Sequence, residues 1–226
     1  MNYNFGRITI KQSWFKNEFE LYAILFWRWF MEKKLEFGEV LKEGFSLGLK
    51  NAGPIIVNVL LWILTIWIPY LNIGTTIGLL LGVIAKASKN ESIAMTEIFN
   101  PEYRKYMGDF FLTAGLMSIG VSIGTALFVA PGIVLAIAWS QSLLLAVDKG
   151  KSPTEALNLS NKVTYGNKGT MFLVNLVVAI AFAILSVIFM QIPYLDFILI
   201  FVAGLLLLFV NIGIQAHIYQ KLCSDI

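Results

Sequence analysis

Six long apolar runs leave this chain few ways to fold. They cover Pro54–Leu71, Ile73–Ser88, Phe110–Val129, Gly132–Val147, Thr170–Ile192 and Leu195–His217. A helix needs about 17–25 predominantly apolar residues to cross the hydrocarbon core of a bilayer. It also satisfies its own backbone hydrogen bonds where water is absent. The second and fourth runs are short, and require extension through their turns or a locally thinned bilayer. Composition agrees: 58% of the 226 residues are hydrophobic and 14% are charged, against about 25% charged in an average soluble chain. A soluble domain of this size cannot bury every helix on all sides. The expected class is an all-α polytopic membrane protein with about six transmembrane helices.

The basic residues test that count independently. All 17 Lys and Arg fall before the first run, at or after the end of the second, after the fourth, or after the sixth. The positive-inside rule therefore predicts that both termini face the cytoplasm. The three turns on the other side are the short stretches "IPYLNIG", "VAPGIV" and "IPYLDF", whose one charge is Asp196. Pro69, Pro131 and Pro193 stand in these turns at equal spacing. A proline removes a backbone donor and fixes φ, so each is expected to end the first span of a hairpin and help set its turn. Tyr70 and Tyr194 add aromatic anchors at headgroup level.

The polar segments recur with the hairpins. "FGEVLKEGFSLGLKNAG" (Phe37–Gly53) aligns with Ser152–Gly169, matching Glu39 to Glu155, Leu41 to Leu157, Asn51 to Asn167 and Gly53 to Gly169. A looser copy, "AMTEIFNPEYRKYMGDFF", lies between them. Partial helical periodicity predicts amphipathic helices lying in the membrane interface. Ser152-Pro153-Thr154-Glu155 reads as a helix start. The chain thus divides into an N-terminal extension, 1–36, and three hairpin repeats, about 37–91, 92–150 and 151–226. In the extension, Trp14–Lys34 is too short in its apolar centre to span, and reads as an interfacial helix. Trp14, Trp27 and Trp29 suit the headgroup level, and Arg28 can snorkel or engage a lipid phosphate. No removable signal peptide is expected.

Within the spans, Gly74, Gly78 and Gly82 form a small-residue face for close packing or for lining a path. Asn58 and Asn175 follow the matched glycines at similar distances and are expected to be similarly placed. Gln141, Asn211, Gln215 and His217 look dispersed, and no buried acid or base is expected at mid-depth. The single cysteine, Cys223, excludes an internal disulfide or a multi-cysteine metal site. No cofactor, metal or nucleic-acid partner is expected, and no enzyme motif is visible.

Within Phe128–Phe172 the pattern "PGIVLAIAWSQSLLLAVDKGKSPTEALNLSNKVTYGNKGTMF" resembles a broad group of poorly characterised bacterial membrane proteins. It also resembles the membrane domain attached to some glycerophosphodiester phosphodiesterases. The matching residues are Pro131, Gly132, Glu155, Ala156, Leu157, Ser160 and Gly169, with Glu97-Ile98-Phe99 and Tyr106-Met107-Gly108 upstream. The resemblance implies a bacterial cytoplasmic-membrane location and a similar architecture, and it carries no catalytic residue. The resemblance is nearly silent on activity, and two functions are expected from the residues themselves. One is a non-catalytic scaffold or accessory factor that interacts with membrane lipids or with a membrane-protein partner. The alternative is a small channel or transporter, assembled as a homo-oligomer.

Overall fold

The structure, a computed structural model, describes residues 2–5, 8–11, 35–192 and 196–226. Trp14, Trp27, Arg28, Trp29 and Pro193 lie outside the described residues. The chain forms two compact units, Met1–Lys33 and Lys34–Ile226. In the first, β1 (Asn2–Phe5) pairs antiparallel with β2 (Ile8–Lys11), Asn2 opposite Lys11 and Phe5 opposite Ile8. The helix expected over Trp14–Lys34 lies outside the described residues. The β-branched Ile8-Thr9-Ile10 favours strand over 8–11.

The second unit is helical. Its elements are α1 (Phe37–Lys50), α2 (Ala52–Thr65), α3 (Pro69–Ser88), α4 (Glu102–Lys105) and α5 (Met107–Leu127). There follow α6 (Val129–Ala138), α7 (Ser142–Lys149), α8 (Pro153–Val163), α9 (Lys168–Phe189) and α10 (Asp196–Cys223). Among the described residues, five segments are long and apolar enough to cross a bilayer: α3, α5, α6 with α7, α9 and α10. A sixth is added if α1 and α2, bent by 69° at Asn51, count as one broken span. The unit therefore has the architecture of a multi-pass membrane protein, in association with lipid.

The first expected span differs most. Alone, α2 is about 21 Å long, too short to cross. The chain reaches the required length only with α1, which was expected to be an interfacial helix with its apolar side toward lipid or the bundle. α1 packs along α10. A Cβ on Gly48 would strike the Phe209 carbonyl, and one on Gly213 would strike the Gly44 carbonyl and lie 2.6 Å from Gly48 N. Three glycines thus bring two backbones into direct contact, as small residues do between membrane helices.

The prolines also act differently from expectation. Pro69 is the first residue of α3, and Pro131 lies in the first turn of α6. Each begins the second helix of its hairpin, where a missing N–H has no intrahelical partner to lose. Only Phe128 separates α5 from α6, and Gly124 and Gly132 face each other across that hairpin. Asp196 opens α10.

Burial divides the spans into an inner and an outer set. α3 is mostly buried, whereas α5 and α9 expose nearly their whole apolar length. Ile77, Val83, Leu145, Ile214 and Ile218 form the centre, where α3, α7 and α10 meet.

Candidate functional site: a polar layer among the inner helices

The glycine face of α3 receives a folded loop in place of another long helix. A Cβ on Gly78 would lie 2.8 Å from the Ile98 backbone. One on Gly82 would enter the Tyr103 ring, and one on Gly74 would lie 3.1 Å from Arg104 Cδ. Gly78 sits about 15 Å along the helix axis from Ser88, so the 94–105 segment runs deep beside α3. Asn58 fastens it there. Fully buried on α2, its Oδ1 accepts the Ile98 N–H at 3.0 Å and its Nδ2 donates to the Ala94 carbonyl at 2.8 Å. Asn175, expected to be its counterpart, is exposed and donates to its own helix, to Met171 O at 2.9 Å. The two asparagines are not similarly placed.

This loop buries an acid, outside the spans to which the expectation of no buried acid or base applied. Glu97 is 2% exposed. Its Oε1 accepts from the Tyr103 hydroxyl at 2.6 Å and from Asn100 Nδ2 at 3.1 Å. Its Oε2 accepts from the Ala94 N–H at 3.2 Å and stands 3.5 Å from Lys86 Nζ. Burial alone would raise the pKa of this carboxyl. The donors from Tyr103, Asn100 and Ala94, with the Lys86 charge, outweigh it and hold the group below its ordinary value. Tyr103 is pushed up in turn, first by burial and then by its bond to Glu97.

A second carboxylate repeats the arrangement where the inner helices converge. Asp148 of α7 takes Lys89, at the end of α3, on Oδ1 and the Tyr219 hydroxyl of α10 on Oδ2 at 3.0 Å. Each acid therefore holds one tyrosine and one lysine. Lys86 and Lys89 are three residues apart, adjacent on a helical face. A third pair, Glu39 to Lys221 at 2.7 Å, fastens α1 to α10, with His217 Nε2 3.8 Å from the same carboxylate oxygen.

Deeper in the unit, α6 and α7 are parted by a turn at Trp139–Gln141. A broken helix frees backbone groups that a membrane protein must satisfy internally. Ser160 of α8 does so: its Oγ donates to Ala138 O at 2.7 Å and accepts the Gln141 N–H at 3.2 Å. Thr164 adds a bond to Ala138 O at 3.3 Å. Gln141 itself is fully buried and meets Gln215 at 3.4 Å, so two residues that looked dispersed lie together.

Sequence reasoning missed Glu97, Asp148 and the Gly44–Gly48–Gly213 contact. The glycines four apart in α1 carried a readable signal. Glu97 carried none, because its neighbours Lys86, Arg104 and Lys105 mark the segment as water-facing. Among the described residues, no cluster of His, Cys, Asp and Glu has the makings of a metal site. Comparison with known protein families, with curated proteins and with solved structures finds no match.

Proposed function

We propose that this chain is a non-catalytic accessory protein of a bacterial cytoplasmic membrane that works by holding lipid or another membrane protein. Both termini are placed in the cytoplasm, on the strength of the one-sided basic residues. The observation that carries the proposal is the division of labour between helices. α5 and α9 turn their apolar length outward. The acids of the inner set are engaged by partners of their own chain: Glu97 by Tyr103, Asp148 by Lys89 and Tyr219, and Glu39 by Lys221. Groups held in this way lock helices together. A conducting path would need them aimed at a passing solute.

The cyclic order of packing supports the three-repeat reading. The polar segment of the second hairpin rests on α3 of the first, and α8 of the third rests on the α6–α7 break of the second. α1 of the first rests on α10 of the third, which closes the ring.

The test is a pair of measurements on purified full-length chain. In liposomes loaded with ions or small metabolites, no flux above empty vesicles is expected. In native membranes, photocrosslinkers placed at Ile119 on α5 or Ile184 on α9 should capture lipid or a discrete protein. Saturable flux would overturn the proposal in favour of a channel or transporter.

A further inference from the structure

We propose that the apolar cavity between α1, α9 and α10 is a binding site for one acyl chain of a membrane phospholipid. This deepens the lipid-holding function above and rests on it. The cavity measures 410 Å³. Phe45 and Leu49 of α1 form one wall, and residues between 178 and 189 of α9 and between 203 and 210 of α10 form the others. All the lining side chains are Phe, Leu, Val or Ala, so the cavity offers no partner to a water molecule. Small Ala181 and Ala203 leave space that larger side chains would fill.

Shape selects the occupant. From Val178 to Phe189 the cavity follows α9 for about 16 Å. A helix of that length would occupy about 1,300 Å³, and an extended hydrocarbon chain about 300 Å³. The chain fits, and a helix of a partner or of a second copy does not. Leu185 and Leu206 are in the wall and exposed, so the cavity is continuous with the outward apolar face of α9 and a chain enters from the bilayer. Leaving one hydrocarbon environment for another gains nothing from the hydrophobic effect, so close contact on three sides holds the chain.

Polarity sets its direction. Glu39 of α1 meets Lys221 of α10, and Gly48 meets Phe209, so α1 runs antiparallel to α10 as α9 does. α1 and α9 therefore approach the cavity from the same end. There Lys42 stands seven residues before Leu49 and Asn175 seven before Phe182, each two turns back on the face that lines the cavity, and both are exposed. Glu39 is taken by Lys221, and Glu43 lies about 100° round the helix from Lys42. Lys42 thus stands where the chain leaves the cavity, in reach of the phosphate that every phospholipid carries. In the proposed orientation this end faces the cytoplasmic leaflet.

The test is native mass spectrometry of the full chain in detergent, offered dioleoyl phosphatidylethanolamine. Ala181→Phe, which fills the cavity, should cut retention about tenfold. Ala179→Phe, exposed on the same helix and outside the wall, should leave it unchanged. Lys42→Gln should weaken retention about threefold, with no effect on dioleoylglycerol, which has the same chains and no phosphate. Circular dichroism checks the fold of each variant. In native membranes, a photoactivatable leucine analogue at Leu206 should carry a lipid adduct, and it decides the matter if Ala181→Phe does not fold. Unchanged retention in a folded Ala181→Phe would overturn the site while leaving lipid holding intact. A Leu206 adduct to another protein or to a second copy of this chain would do the same. An unchanged Lys42→Gln would overturn the placement of the headgroup. Retention of no lipid by wild type would remove lipid holding as well.

Discussion

Replacing Gly213 by alanine tests the tightest feature of the fold. The new methyl would collide with the Gly44 carbonyl and lie 2.6 Å from Gly48 N. Both obstacles are backbone of a helix, so no side chain can rotate away, and α1 must move off α10. Overpacking of this kind costs about 1–3 kcal/mol, and backbone obstacles put this case near the top of that range. Alanine returns about 0.5–1 kcal/mol through lower unfolded-chain entropy, leaving a net loss of about 2 kcal/mol. For a chain of this size that is about 5 °C in melting temperature. Gly204 is the control on the same helix, since a Cβ there meets nothing within 4 Å. Gly204→Ala should be neutral or raise the melting temperature slightly. The assay is thermal unfolding in detergent followed by circular dichroism. If Gly213→Ala melts at or above Gly204→Ala, the claim that these backbones touch is wrong.

Three other outcomes are expected from the same assay. Asn58→Ala, which strips partners from the Ile98 N–H and the Ala94 carbonyl, should lose about 2–3 kcal/mol, while Asn175→Ala stays within about 0.5 kcal/mol of wild type. Ser160→Ala should lose about 1–3 kcal/mol, because it leaves Gln141 N–H and part of Ala138 O unsatisfied at the break in the span. Glu97 has a folded pKa below its unfolded one, so its ionisation adds stability above the ordinary value of about 4.3 and that stability is lost as pH falls through the lower folded value. A melting-temperature profile taken from pH 7 downward should therefore fall on the acid side in wild type and fall less in Glu97→Gln.

The bilayer imposes a composition, and for that reason the spans were legible. The expected Phe110–Val129 became Met107–Leu127, and Thr170–Ile192 became Lys168–Phe189. Pairing is not imposed in that way. Nothing local in "TEIFNPEYRK" tells a buried acid from a water-facing one, since Glu97 is satisfied by donors that arrive only when the loop folds onto α3. The three polar segments were read as interfacial because amphipathic periodicity records which face is apolar, and it is silent on what that face meets. Ser160 illustrates the difference. Its place in a recurring pattern was visible, but its task depends on a break in another helix. Gly74, Gly78 and Gly82 were read as a face for close helix packing or for lining a path, and the neighbour that face meets is a loop.

The contact between α1 and α10 also bears on how the chain is made. α1 is the first helix of its unit to leave the ribosome, and the surface that covers its glycines belongs to the last. At about 5–20 residues per second, synthesis leaves α1 without that partner for about 10–30 s. During this interval its polar backbone groups near Gly44 and Gly48 stand uncovered in or beside the membrane. The contact between α1 and α10 can therefore close only when the final helix inserts, and a chain truncated before Gly213 would leave the glycines of α1 without their partner.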